Sequence, residues 1–336
     1  MAHEAVIQMA HGAGGKMSEE LMKTVFLPIF GNEKLDVLHD GAKLAMGGNL
    51  AFTTDSYVIS PRFFPGGNIG KLAVCGTVND LAMTGAVPKY ITCAMILEEG
   101  LPIAELKEIA RTMQHMADEA GVAVVTGDTK VVERGKADGI YINTAGIGEL
   151  IQGADIAPKN VTPGMKVLLS GCLGDHAATV LAKRHGLSLP DSLMTDCAPL
   201  GRMVQRVLVA APHTACLRDP TRGGAAAVLN EIAVAAKVGI KLEEDAVPVR
   251  PEVQAVADIL GFDPLYLANE GKCIAFVPAD EADAALQAMK EDSYGREARV
   301  IGETTKEASG IVALETAIGG LRIVEMPLGA LVPRIC

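Results

Sequence analysis

Leu50-Ala51-Phe52-Thr53-Thr54, with Asp55 directly behind it, is the stretch from which the fold can be read. Its aromatic and β-branched residues suit a pleated strand. It opens a series in which strand-like runs alternate with helical patterns over 69–84, 90–97, 103–120, 122–126 and 140–145. That alternation predicts an α/β or α+β domain. Beyond it, Ala157-Pro158-Lys159-Asn160-Val161-Thr162-Pro163-Gly164 is dense in turn formers and 166–170 starts a new strand, which puts a boundary near 155–165. A second α/β unit follows, with helical patterns near 175–185, 196–210, 222–236, 250–260 and 280–290. Its strands are expected near 166–170, 238–242, 272–277 and 297–302. The chain therefore divides into a glycine-loop segment 1–40, a first domain 41–155, a second domain 156–325 and a tail 326–336.

The tail begins with Met326-Pro327-Leu328-Gly329-Ala330-Leu331-Val332-Pro333, apolar and with two prolines, as suits a segment that docks in a cleft without joining a sheet. It ends in Pro333-Arg334-Ile335-Cys336. Chain ends are seldom ordered unless tied down, so a terminal thiol can travel between its own active site and another protein.

Composition narrows the function classes. A chain of 336 residues, 49% of them hydrophobic, holds material for two cores. Thirty basic residues against 41 acidic ones give a net charge of −11, and no Lys/Arg cluster interrupts that balance. Nucleic acid and anionic membranes are thereby excluded as main partners. No stretch approaches the roughly 20 apolar residues of a membrane span, and Met1-Ala2-His3-Glu4 lacks the basic and apolar regions of a signal peptide. The expected location is the cytoplasm. The seven cysteines form no CxxC pair, and six sit among Val, Ala, Leu and Ile as small buried hydrophobes; Cys336 is the exception.

Asp55, Asp80 in Val78-Asn79-Asp80, and Asp128 in Thr126-Gly127-Asp128-Thr129 punctuate the first domain. Singly each serves as a cap or turn residue, but carboxylates at strand ends also suit Mg²⁺, which combines a few protein oxygens with phosphate oxygens. Two glycine-rich loops accompany them, His11-Gly12-Ala13-Gly14-Gly15-Lys16 and Phe64-Pro65-Gly66-Gly67-Asn68-Ile69-Gly70-Lys71. Either can bring backbone N–H groups to a phosphate, although neither matches the P-loop or the dinucleotide fingerprint. In the second half, Arg218-Asp219-Pro220-Thr221-Arg222-Gly223-Gly224 runs into a helical pattern, offering amides, a hydroxyl and a guanidinium to an anion. Ser170-Gly171-Cys172-Leu173-Gly174-Asp175-His176 reads equally as a strand-to-helix turn or a ligand loop. Lys130 and Glu270, the latter in Ala268-Asn269-Glu270-Gly271-Lys272, are further charged residues framed by glycine and apolar neighbours.

Over nearly the whole chain these motifs closely resemble the HypE family of hydrogenase maturation factors. That family lies within the superfamily of ATP-binding enzymes that includes aminoimidazole ribonucleotide synthetase and selenide water dikinase. The match rests on His11 to Gly15, Phe52-Thr-Thr-Asp-Ser-Tyr-Val58, Phe64 to Gly85, Val124-Val-Thr-Gly-Asp-Thr-Lys-Val131, Ser170 to His176, Arg218 to Gly224, Asn269-Glu-Gly-Lys272 and the terminal Pro-Arg-Ile-Cys. The terminal motif is the specific one; the others mark the superfamily. The resemblance implies a PurM-like two-domain fold, with N-terminal domains sharing a β-barrel in a homodimer and a C-terminal α/β sandwich. It implies ATP and Mg²⁺ in clefts at the subunit interface, with Asp55, Asp80 and Asp128 holding metal and phosphates. Gly12, Gly14, Gly15, Gly66, Gly67, Asn68 and Lys71 would close over the nucleotide, Thr129, Asp219, Thr221 and Arg222 would complete its site, and Lys130 and Glu270 would line the catalytic pocket. By the same resemblance the carbamoyltransferase HypF loads Cys336, this protein dehydrates the S-carboxamide to a thiocyanate, and cyanide passes to iron on the HypC–HypD complex for the [NiFe] centre. Two rival readings are a small-molecule kinase or synthetase of the same superfamily and a non-enzymatic carrier. A selenide dikinase would place a reactive Cys where His11 stands, and a bare carrier needs no Mg²⁺-ATP.

Overall fold

The computed structural model describes residues 6–13, 16–36, 41–188, 190–329 and 332–336. Two sheets organise them. After a 3₁₀ turn at Met9–Gly12 come α1 (Lys16–Leu21), a π-helical stretch Met22–Phe26 and α2 (Leu27–Phe30). The first sheet is assembled by β1 (Leu50–Tyr57), the short hairpin β2 (Phe63–Phe64) and β3 (Gly67–Asn68), α3 (Ile69–Met83), β4 (Ala86–Glu98), α4 (Ile103–Ala120), β5 (Ala123–Val132) and β6 (Ile140–Leu150). Four strands lie in the order β1-β6-β4-β5, antiparallel except for β4 and β5, which run parallel because α4 crosses between them.

Burial along β1 alternates with period two: Leu50, Phe52, Thr54 and Ser56 are exposed, while Ala51, Thr53 and Asp55 turn towards the helices. The helical face of the sheet is covered by α3 and α4, so the first core gathers Leu72, Val74 and Val78 with Ile91, Met95, Ile109 and Met113. Its other face is bare, with Phe52 71% and Leu50 46% exposed. At Gly146 a Cβ would lie 2.7 Å from the Thr77 side chain, so glycine there lets α3 settle directly on β6.

A link with a 3₁₀ turn at Pro158–Asn160 leads to the second sheet. Its elements are β7 (Lys166–Leu169), α5 (Asp175–Arg184), α6 (Gly201–Ala210), β8 (Cys216–Arg218), α7 (Gly224–Ala236), β9 (Gly239–Glu243), α8 (Pro251–Leu260), β10 (Ile274–Val277), α9 (Ala282–Lys290), β11 (Arg299–Thr305), β12 (Val312–Glu315) and β13 (Leu321–Ile323). The seven strands run β13-β12-β9-β11-β7-β10-β8. Both faces are covered: Ile274 and Phe276 of β10 pack with α7, whereas Ala275 and Val277 pack with α6 and α9. A strand buried on both sides reads as a continuous apolar run, as β10 does. Helices α5 and α8 belong to the second half by sequence but to the first core by packing, through Ala178, Val180, Leu181, Val253 and Val256. Among the described residues no helix is long and apolar enough to cross a membrane.

Candidate functional site

Pairing of β1 with β6 continues to Tyr57, so Asp55 stands inside the strand, opposite Thr144, and not beyond its end as expected. Asp80, near the C-terminal end of α3, accepts a hydrogen bond from Thr53 Oγ1 at 2.9 Å. Burial pushes its carboxyl above the ordinary range; Asp55 adds to that, while Arg218 and Arg222 oppose it. Asp219 lies in the turn that enters α7, where Gly223 and Gly224 take the left-handed φ values of 77° and 63°. Burial first, then repulsion from Asp80, pushes its carboxyl up to about 7.

Asn269 ties three loops together. Its Oδ1 accepts from Gly174 N at 2.7 Å and its Nδ2 donates to Pro220 O at 3.0 Å and Leu267 O at 2.9 Å. The next residue, Glu270, is buried, and its Oε1 has no hydrogen-bond partner. The backbone beneath it is fixed, because the N–H groups of Glu270 and Gly271 donate to the two carboxylate oxygens of Asp196 at 3.2 and 3.3 Å. Asp196 in turn pairs with Lys272 at 3.2 Å. At Gly271 a Cβ would lie 1.8 Å from Asp196 O, so only glycine fits. Burial holds the Glu270 carboxyl well above the usual range, and Cys197, Asp196, Asp219 and Asp55 reinforce the shift. An orphaned buried carboxyl crowded by other carboxylates is a place for a proton or a cation.

The tail docks near this place, and between it and Ser56, Val58, Arg222 and Tyr266 a cleft of about 470 Å³ stays open, with Cys336 in its wall. Val58 N donates to Cys336 O at 3.1 Å and Ser60 N to Arg334 O at 3.3 Å. Arg334 Nε returns a bond to Val58 O at 3.0 Å. The tail thus follows the chain beyond β1 without becoming a strand. Ile335 is 4% exposed, and burying such a side chain stabilises the docked tail by about 2 kcal/mol. The Cys336 thiol is pushed up to about 12 by burial first and by Glu270 next, with Arg222 pulling the other way. Arg222 and Cys336 thus line one cleft, and the charges of Glu270 and Asp55 reach the thiol.

Other candidates are elsewhere. Asp128, Thr129 and Lys130 lie on β5, at the far edge of the first sheet. Asp55 faces Thr144, the adjacent Asn143 faces Ala94, and Ala94 faces Asp128. Asp55 and Asp128 are thus level with each other but three strands apart, roughly 14 Å at the usual strand spacing. Lys130 Nζ bonds Asp128 Oδ1 at 2.8 Å, and that bond first of all holds the Asp128 carboxyl below its ordinary value. Gly12 packs against the same strand, where a Cβ would meet Val131 N at 2.5 Å; Gly14 and Gly15 lie outside the described residues. Within one protomer, then, the expected triad is divided: Asp55 and Asp80 meet, and the sheet keeps Asp128 away. Among the described residues no group of three or more His, Cys, Asp or Glu is arranged to hold a metal ion. Asp55 and Asp80 offer hard oxygens, a pair of the kind that suits Mg²⁺ only when phosphate and water complete its coordination.

The second glycine loop also departs from expectation. Asn68 caps α3, its Oδ1 accepting from Gly70 N at 2.9 Å and Lys71 N at 3.2 Å while Nδ2 donates to Thr112 Oγ1 at 2.9 Å. The amides a phosphate would use at this helix start are already taken. Lys71 Nζ folds back to Gly66 O at 3.1 Å, and Gly66, Gly67, Asn68 and Lys71 line a separate groove with Glu108, Thr112 and Tyr294. Asp80 is at the opposite end of the helix, about 18 Å away at the α-helical rise.

Residues 38–150 match the family described as AIR synthase related protein, N-terminal domain, and residues 162–315 its C-terminal domain counterpart. The chain is 50% identical over 333 residues to the carbamoyl dehydratase HypE of Rhodobacter capsulatus, spanning 98% of each chain. The chain belongs to the HypE family of carbamoyl dehydratases. A crystal structure of a hydrogenase maturation protein HypE in complex with ATP superposes with a TM-score of 0.95 at 45% identity, over 98% of this chain and 99% of that one. A HypE–HypF complex matches with a TM-score of 0.81 at 46% identity, over 91% and 99% respectively. The fold is accordingly the PurM-like arrangement of two mixed α/β domains.

Sequence reasoning missed the parts that Asp196 and Asn79 play around the Glu270 loop. Asn79 Nδ2 donates to Ala198 O at 2.9 Å and Glu270 O at 3.4 Å, and its Oδ1 accepts from Leu200 N at 2.8 Å, joining α3 to the Glu270 loop. Nothing in the spacing around Asp196 distinguishes it from a surface carboxylate. His176 carried a signal, a histidine in the first turn of a helix between Asp175 and two alanines, but no indication of what it touches.

Proposed function

We propose that this chain dehydrates an S-carboxamide carried on its own Cys336 to a thiocyanate, with ATP as the phosphoryl donor. The observation that carries the reading is Cys336 docked by hydrogen bonds to the chain beyond β1, in a cleft with Arg222 and within reach of the charges of Glu270 and Asp55. The ATP-bound HypE relative supports nucleotide binding. A carboxamide oxygen is a poor leaving group. Transfer of the γ-phosphoryl group to that oxygen lets it depart as phosphate; ADP is left, the nitrogen loses both protons and the C≡N bond forms. Glu270, once ionised, accepts a proton from the nitrogen. Arg222 faces the developing phosphate charge from the α7 turn; Asp55 and Asp80 would hold Mg²⁺ with the nucleotide, and the ion would supply charge neutralisation.

Lys130 and Asp128 belong to the same chemistry through a homodimer. A second copy delivers its Asp128-Thr129-Lys130 strand to the cleft of the first, and the bare, Phe52-bearing face of the first sheet is the surface available to a shared barrel. HypF loads the carbamoyl group, in keeping with the HypE–HypF complex of a relative, and the cyanide passes to iron on the HypC–HypD complex in the cytoplasm. Mass spectrometry of the carbamoylated protein tests the reaction. With Mg²⁺-ATP the tail peptide loses one water and ADP appears; an unchanged carbamoyl mass refutes it. Complementation tests the shared site. Asp55→Ala and Lys130→Ala proteins are each inactive, and random mixing of C₂ dimers restores about a quarter of wild-type activity, since half the dimers carry one intact site of two. No recovery on mixing places both residues in one protomer's site.

A further inference from the structure

Helix α5 grips the backbone of the tail at both of its ends. His176 Nε2 bonds Ile335 O at 2.8 Å. Arg184 donates to Pro333 O at 2.8 Å and also to Arg334 O and Ser60 O. Three consecutive tail carbonyls are therefore held by one helix, and the same guanidinium fastens the strand-side chain at Ser60. These contacts ignore the identity of the tail side chains and fix its register, and with it the place of the last residue.

The histidine is built for this bond. Thr195 Oγ1 accepts from Cys197 N at 3.1 Å, so its own O–H is free to donate to His176 Nδ1 at 2.8 Å. That assigns the ring proton to Nε2, facing the Ile335 carbonyl. Phe64 packs edge-on against the imidazole, with centroids 5.4 Å apart. The ring is fully buried, and burial keeps its pKa below the ordinary value. Its one remaining polar atom thus points at the tail. When the tail leaves, a buried N–H is left without its partner, which is costly.

We propose that His176 and Arg184 are positioning residues that hold the substrate-bearing tail docked by its backbone carbonyls and so set the balance between docked and released Cys336. This rests on the dehydratase reading, but its readout does not. In the full-length folded protein, the iodoacetamide labelling rate of Cys336 is followed by peptide mass mapping. The other six cysteines are buried, so their silence reports an intact fold. Arg184→Ala and His176→Ala are expected to label Cys336 about tenfold faster or more than wild type, the effect of losing charged or buried hydrogen bonds. His176→Gln, which can keep a donor towards Ile335 O, stays close to wild type. Single-turnover dehydration slows in the two alanine variants while ATP affinity holds. Should His176→Ala expose the buried cysteines to label, the partly exposed Arg184→Ala decides. Unchanged Cys336 labelling in Arg184→Ala, or a Gln variant as fast as Ala, overturns the proposal. Faster labelling with no dehydration in any form, wild type included, leaves the latch standing and refutes the dehydratase reading alone.

Discussion

Replacing Asp219 by Asn should change how stability depends on pH, and by an amount the site sets. A carboxyl whose pKa is higher folded than unfolded binds more protons in the folded state. Its contribution is fully present below the unfolded value and lost as pH rises through the folded one. For Asp219 that window runs from 3.8 to about 7. Three units convert to a ceiling of about 4 kcal/mol. Water reaching the partly exposed side chain reduces this, and about 2 kcal/mol is the working figure at an effective dielectric near 20. Urea unfolding of wild type and Asp219→Asn at pH 4.5, 6 and 8, without nucleotide or Mg²⁺, isolates the effect, because any pH-independent cost of the amide cancels. The stability of the variant relative to wild type should climb by about 2 kcal/mol from pH 4.5 to 8. A difference that stays level across that range would refute the argument that burial and Asp80 hold a proton on Asp219.

Two further outcomes are expected. Burial pushes the Glu270 carboxyl upward, and it must be ionised to accept a proton. The single-turnover rate therefore rises with pH in wild type, while Glu270→Gln is about a hundredfold slower or more, with no such rise; a Gln variant that keeps the rising limb removes Glu270 from the role. Asn79→Ala orphans two carbonyls and one amide between α3 and the Glu270 loop, at a cost of about 3 kcal/mol, to be read as a lower midpoint in thermal or urea unfolding. An unchanged midpoint would mean that the two elements are held together by other contacts.

Much of the fold is legible because burial imposes periodicity. Alternation in β1, the continuous apolar run of β10 and the boundaries of α4 at 103–120 all follow from which faces are covered. Three-residue strands such as β8 and β13 are too short to carry a period, and the helical segments between Lys16 and Phe30 pass unnoticed without a clear start signal. The site is legible as a set of residues and not as a geometry. Asp55 and Asp128 look equivalent in sequence, each an aspartate beside threonines, yet strand order puts them at opposite edges. Asn68 sits among glycines as a phosphate loop would have it, but an asparagine before an apolar helical run is also an N-cap, and capping won. The backbone-directed grip of His176 and Arg184 has no sequence signature, since what it recognises is carbonyl oxygen.

The docked tail also governs what kinetics this protein can display. When the reacting group is the chain's own last residue, the substrate is present at a local concentration fixed by eleven residues of tether and by the latch, whatever the protein concentration. The chemical step then has no Michaelis constant for the carboxamide, and competitive inhibition by free small molecules has to work against an intramolecular rival. On the proposed reading each loading event would permit one dehydration, so sustained throughput would depend on how often the tail is emptied and refilled. Measured steady-state rates will follow those exchanges, and only a single-turnover experiment sees the cleft itself.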